Sequence, residues 1–163
     1  MQLPNMDTDF FTFLKSVQSK LRTHPFVSKP SNVIVGDSLD ILSLQEDAFP
    51  RFEIRPMLDN GNGWESQRRL RQFYTFTIAG YILRESDEIT EKDVKDVIAL
   101  GELTRSLMYS FHDDKQAGNS PSPNFDMVDD YPILDFDFEM AERISVIIFA
   151  FRAHASTKDT RVS

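Results

Sequence analysis

Residues 70–84, LRQFYTFTIAGYILR, are apolar on both sides of an extended chain: Tyr74, Phe76, Ile78 and Ile82 alternate with Phe73, Ala79, Tyr81 and Leu83. Successive side chains of a strand point to opposite faces of its sheet, so such a run needs a covering layer on each side. A second run, RISVIIFAFRAHA at 143–155, has Val146, Ile147, Ile148 and Phe149 in succession and is predicted to be a central strand covered on both faces. Both runs restrict the chain to architectures built on a sheet.

The remaining segments follow from their periods. DFFTFLKSVQSKLRT, 9–23, sets Phe10, Phe13 or Leu14, Val17 and Leu21 at helical spacing, with Asp7 or Thr8 as N-cap and Pro25 beyond the end. TEKD, 90–93, is a capping-box start with Asp in the Glu position, and Val94, Val97, Ile98, Gly101 and Met108 carry the helix to about Phe111. SNVIVG, 31–36, is a short edge strand, and residues 38–49 show no clear period. PRFEIRPML, 50–58, alternates Phe52 and Ile54 with Arg51, Glu53 and Arg55, a strand with one buried face that Pro56 ends. DNGNGWESQRR, 59–69, is rich in turn residues and predicts a hairpin with a projecting loop that carries Trp64, Arg68 and Arg69. PILDFDFEM, 132–140, alternates Asp135, Asp137 and Glu139 with Leu134, Phe136, Phe138 and Met140.

The order is helix, short strand, hairpin, helix, then one or two strands, with no repeat and no linker between two cores. It predicts one α+β domain over 1–163, an antiparallel sheet of about four to five strands with two main helices packed on one face. A flexible acidic loop at about 113–131 and a disordered tail at about 156–163 complete it. Two helices cover one face only. Large exposed apolar patches on a sheet mark association, so the second face is expected to be covered by the 113–142 segment or, preferably, by a neighbouring subunit.

Charge bears on partners. The formal net charge is −8, and between Asp113 and Glu142 nine acids stand against the single base Lys115, so that segment carries the whole excess. Such a balance argues against a nucleic-acid grip, although an acidic wall suits a protein that DNA must pass without sticking. The chain has no cysteine, which excludes disulfides and thiolate metal sites and points to a cytoplasmic origin. MQLPNMDTDFF has neither a basic n-region nor an apolar h-region, and no apolar run reaches the roughly 20 residues of a membrane span.

Chemistry is sparse. Residues two apart on a strand lie roughly 6.5–7 Å from each other, so Asp135 and Asp137 do not converge on one ion without a partner strand. The row Asp135, Asp137 and Glu139 is therefore expected to be a solvated face or a surface turned toward a channel or partner, with a metal-dependent enzyme as the contrary reading. His24 and His112 fall at helix ends, where a cation complements the dipole. There is no HExxH, GxSxG or P-loop, and DNGNG lacks the Lys-Ser/Thr and following helix that would cradle phosphate. No catalytic residue, metal or cofactor is expected. RRLR, 68–71, together with Arg51 and Arg55, forms the one basic cluster; Trp64, Arg68, Arg69 and Arg71 are the candidate partner-contact loop, since Trp and Arg are enriched at interface hot spots.

FFTFLKSVQSKL, PRFEIRP, RQFYTFTIAGYIL, KDVKDVIALGELTRSLM and RISVIIFAFRA, in that order and at these spacings, resemble the tail-terminator proteins of long-tailed bacteriophages, the minor tail protein U type, over roughly residues 8–154. The resemblance implies a non-enzymatic virion protein that assembles as a homohexameric ring on the end of the tail tube, stops its polymerisation and offers a joint to the head connector. Its partners would be further copies of itself, the tube protein and a head-side connector or neck protein, with DNA only as passing cargo and no membrane. It would sit at the head-proximal end of the tail and be assembled in the host cytoplasm. Another head–tail connector or tail-completion protein is the alternative. No residue-level site comes with the resemblance.

Overall fold

The computed structural model describes residues 9–38, 40–56, 62–66, 69–110, 125–127, 133–141 and 143–158. Its spine is the pair β4 (Arg69–Leu83) and β7 (Ile144–Lys158), each of 15 residues, joined antiparallel from Arg69 opposite Lys158 to Leu83 opposite Ile144. At ~3.4 Å per residue this ladder is about 50 Å long. β2 (Arg51–Pro56) and β3 (Asn62–Ser66) follow one another along the free edge of β4, with Pro56 opposite Phe76 and Asn62 opposite Gln72. β5 (Phe125–Met127) and β6 (Ile133–Ala141) do the same along β7, with Met127 opposite Ala153 and Ile133 opposite Phe149.

β1 (Val33–Val35) pairs with the outer side of β2, so the seven strands occupy five positions across the sheet. The architecture is α+β, as expected, but the sheet is mixed rather than wholly antiparallel, because β1 runs parallel to β2. Parallel neighbours need a long crossover, and residues 36–50 provide one. It starts at Gly36, whose φ of +139° favours glycine.

Three local expectations are corrected. Trp64 lies in β3 rather than in a projecting loop, and the ladder from Ser66 to Arg69 leaves only residues 67 and 68 between β3 and β4. Phe125–Met127 is a strand inside the segment expected to be loop, and β7 continues to Lys158 through residues expected to be tail. In each case the long edge of a central strand supplies a template that local composition does not reveal.

Both main helices, α1 (Asp9–Leu21) and α2 (Glu91–Tyr109), pack on one face. Phe13, Leu14, Val17 and Leu21 of α1 and Val97, Leu100 and Met108 of α2 form one cluster with Phe52, Ile54, Phe76, Ile78, Ile147, Phe149 and Phe151. The buried stripe of α2 is rotated from the one its sequence suggests: Leu100 and Thr104 are buried while Val94 and Ile98 are exposed. The capping box forms as expected, with the Thr90 hydroxyl accepting from Asp93 N–H and the Asp93 carboxylate accepting from Thr90 N–H at 2.8 Å. That backbone hydrogen bond holds the Asp93 carboxyl below its ordinary pKa. The helix meets the sheet closely through two glycines. A Cβ on Gly80 would lie 2.8 Å from Leu100 Cδ2, and one on Gly101 would lie 2.7 Å from Ile147 Cδ1 and 3.2 Å from Phe149 Cζ.

The other face is covered by the chain itself. Phe49, Ala79, Tyr81, Ile144 and Val146 form a second cluster, against which Ile41, Leu44, Ala48, Leu83 and Ile148 pack. Residues 41–49, with single 3₁₀ turns at Ile41–Ser43 and Glu46–Ala48, supply the layer. This overturns, for residues 76–83 and 144–151, the expectation that a neighbouring subunit must shield that face: Ala79 is fully buried and Tyr81 is 2% exposed within one chain. The apolar residues of 41–49 recur at mixed intervals, so no single period announced them.

His24 locks the two helices together. Its Nδ1 accepts from Phe26 N–H at 3.1 Å, so the neutral ring carries its proton on Nε2, 3.3 Å from Thr104 Oγ1. The Thr104 hydroxyl in turn donates to Leu100 O at 2.6 Å. Burial lowers the pKa of His24, so it is a neutral core residue rather than the expected cation at a helix end.

Two outcomes are expected. Gly101→Val introduces atoms where Ile147 and Phe149 already sit, so chemical denaturation should show a loss of about 1–3 kcal/mol; stability equal to wild type would mean the helix can retreat from the sheet at no cost. For His24, the folded pKa lies below the unfolded 6.5, so its contribution is complete above pH 6.5 and declines as pH falls toward the folded value. Thermal melts should therefore drop between about pH 7 and 5 in wild type, and His24→Gln should flatten that slope; equal slopes would remove His24 as the cause.

Candidate functional site

The register separates the residues that sequence grouped as one basic cluster. Arg51 and Arg55 stand opposite Tyr81 and Thr77, whereas Arg69 stands opposite Ser66 and Arg71 opposite Gly63. From Thr77 to Arg71 is six residues, roughly 20 Å along the strand. Trp64 is opposite Leu70, and Arg68 lies outside the described residues. Trp64, Arg69 and Arg71 are thus positions in the β3–β4 ladder, not a loop.

Arg51 and Arg55 belong instead to a polar network on the second face. Because β2 alternates, Phe52 and Ile54 enter the helix-side core while Arg51, Glu53 and Arg55 emerge opposite them. Glu53 is 1% exposed, and its Oε2 accepts from Ser38 N–H at 3.0 Å while its Oε1 accepts from Arg55 Nη2 at 3.1 Å. Arg51 Nε is 3.9 Å from Glu53 Oε2, and Arg51 Nη2 donates to Ser38 Oγ at 2.9 Å. Arg55 also donates to Tyr81 Oη at 2.8 Å and pairs with Asp37 at 2.9 Å.

The electrostatics follow from burial and pairing. Burial pushes the Tyr81 phenol above its ordinary pKa, with the adjacent Arg55 opposing that shift. For Arg55 itself, burial disfavours the charge, but Tyr81, Glu53 and Asp37 outweigh it and the pKa is raised. A buried carboxylate clasped by two arginines satisfies charge with charge and fixes the 36–38 turn against β2. The sequence signal for it was the alternation of Arg51, Glu53 and Arg55, which predicted pairing with Glu53 but not its depth.

At the end of β4 nearest Leu83, Arg84 is buried and donates through Nη1 to Ser145 Oγ at 3.0 Å. Its N–H donates to Arg143 O at 2.6 Å, and Arg143 Nε donates back to Arg84 O at 3.0 Å. A depression of about 290 Å³ borders this clasp, lined by Glu46, Phe49, Pro50, Arg84, Glu85 and Arg143. Its carboxylates Glu46 and Glu85 are exposed, and Glu85 is paired with Lys92 at 3.2 Å.

The acidic row occupies β6. Asp135 stands opposite Ile148 and Asp137 opposite Val146, with Phe136 between them opposite Ile147, and Glu139 follows where the register shifts. Ile148 and Val146 are the β7 positions of the second cluster, and Ile147 that of the helix-side core. Among the described residues no group of three or more His, Asp or Glu side chains is placed to hold a metal ion, and no helix is long and apolar enough to cross a membrane. His112 lies outside the described residues, and His154 stands opposite Phe73 in the ladder.

Removing one partner of a buried ion pair leaves the others uncompensated. Glu53→Gln should lower stability by about 3 kcal/mol, whereas Asp37→Asn, at a position whose side chain is 63% exposed, should change it by less than about 1 kcal/mol. Urea denaturation of both variants checks this; comparable losses would show that the network is not anchored on Glu53. No family model matches the chain, and no curated protein matches it.

Proposed function

We propose that this chain is a structural virion protein that caps the tail tube of a long-tailed bacteriophage as a homo-oligomeric ring, stopping tube polymerisation and forming the joint to the head connector. The order of its segments supports the reading, as does the α+β architecture that the resemblance implies. The observation that carries it is a mismatch of lengths. The β4–β7 ladder is about 50 Å long, while α1 and α2, of 13 and 19 residues, are about 20 Å and 28 Å.

The described core positions of the spine lie between Phe76 and Leu83 and between Ile144 and Phe151. Seven further pairs, from Thr75 opposite Arg152 to Arg69 opposite Lys158, prolong the ladder by roughly 24 Å. β3 and β5 widen that extension, and its sequence includes Trp64, Leu70, Phe73, Tyr74, Phe125 and Met127. A multi-stranded, apolar-rich extension of a ladder that is longer than either helix suits contact between subunits. The chain's own 41–49 segment covers the body, so the ring contacts are assigned to the extension and the sheet edges. Tube protein and a head-side connector or neck protein are the proposed partners, with DNA as passing cargo and the head-proximal end of the tail as the location.

Light scattering of the purified chain, alone and with a phage tail-tube protein, tests this. A homo-oligomer alone, or rings that form when tube is supplied, is the expected result; monomers under both conditions would overturn it. Pull-down against tube protein and against the head-side connector separates a terminator, which retains tube, from another neck protein, which retains the connector alone.

A further inference from the structure

α2 leaves part of its apolar surface in water. Val94 and Ile98 are 38% and 48% exposed, one turn apart, on the flank left open by the buried residues Val97, Leu100, Thr104 and Met108. At about 100° per residue, Glu91, Lys95, Glu102 and Arg105 fall with Val94 and Ile98 inside an arc of about 100°. Glu91, Lys95 and Glu102 are exposed and Arg105 is partly so. Among the described residues none of these four charges forms an ion pair.

Along this face the order is acid, base, acid, base, centred on Ile98. Glu91 and Arg105 lie about 10 Å to either side of it, and Lys95 and Glu102 about 4.5 Å and 6 Å. Such an order is its own complement when reversed. Two copies of the helix laid antiparallel about a two-fold axis at Ile98 set Glu91 of each level with Arg105 of the other, Lys95 level with Glu102, and Ile98 against Ile98. Laid parallel in register, the same helices would set each charge against its like. The antiparallel arrangement also brings the first turn of one helix over a depression of about 470 Å³ beside the last turns of the other, lined by Glu102, Arg105, Ser106, Tyr109 and Ser110.

We infer that α2 docks antiparallel on α2 of a second copy of this chain, about a two-fold axis at Ile98. An isologous contact closes at two copies, so it is separate from the ring contacts assigned to the extension and does not depend on them. Val94 and Ile98 supply the apolar centre, and the charge pairs on either side of it fix direction and register. One helix face against another makes a small interface, on the scale of transient contacts rather than of obligate dimers.

The chain has no cysteine, so the contact can be trapped directly. Ile98→Cys sets two thiols face to face on the axis, and mild oxidation should give disulfide-linked dimer about tenfold faster than Leu103→Cys, which is exposed about 140° around the helix. In sedimentation experiments Arg105→Glu should weaken self-association by about tenfold, because two like-charged pairs replace two opposite ones, and Glu91→Arg/Arg105→Glu should restore it. Circular dichroism melts report folding; Lys95→Glu and Lys95→Glu/Glu102→Lys replace these variants if they do not fold. Equal cross-linking at positions 98 and 103, or a folded double reversal that associates no better than the single one, overturns the contact. Loss of tube or connector binding in Ile98→Asp, with no cross-linking between copies of Ile98→Cys, assigns the face to that partner and overturns it as well. A dimer trapped at position 98, with no ring when tube is supplied, supports this contact and removes the ring alone.

Discussion

Antiparallel pairing of β4 with β7 through all 15 residues makes a rod about 50 Å long, and each other element is placed by what that rod requires. Its outer edges are long enough for two strands apiece, which is why β2 and β3 share one and β5 and β6 share the other. Its faces are apolar where Phe76, Ile78, Ile147 and Phe149 meet the helices and where Ala79, Tyr81 and Val146 meet residues 41–49. Gly80 and Gly101 let α2 settle close to the centre of the rod, so the helix layer is fitted to the strands rather than laid over them. A local slip of register would invert both faces at once, and the two different layers therefore hold the pairing in place.

Much of this was legible in residue order. The helix at 9–21, the capping box at Thr90–Asp93, the Pro56 strand end and the two central strands follow from local periods and caps, and each is present. What failed depended on partners distant in sequence. Residues 41–49 are a covering layer whose apolar side chains have no helical or strand period, so their role is visible only against Tyr81 and Val146. Trp64 sits among Asn, Gly and Ser, the composition of a turn, yet β4 offers it a ladder position opposite Leu70. His24 carries the chemistry of a helix-end cation, but its placement between Phe26 and Thr104 removes it from water and reverses the expectation.

The polar residues of β2 are placed by the same alternation. Arg51, Glu53 and Arg55 are drawn into the body, where the 36–38 turn and Tyr81 hydrogen-bond to them, although Arg51 Nε and Arg55 Nε are buried without a hydrogen-bond partner. Removing one partner of such a pair leaves a buried charge uncompensated, and here the pairs fix the start of the crossover that carries residues 41–49 onto the second face. Without that anchor the covering layer would lose its entry point. The network thus serves the fold.

A long ladder is also a ruler. Because Cα partners from Arg69–Lys158 to Leu83–Ile144 are continuous, with no shift in register, the spacing between the extension and the body is set by residue count rather than by flexible loops. Self-shielding of the body withdraws residues 76–83 and 144–151 from the apolar argument for association. With Ala79 and Tyr81 already covered, the ring contact between copies that we propose falls to the extension and the sheet edges.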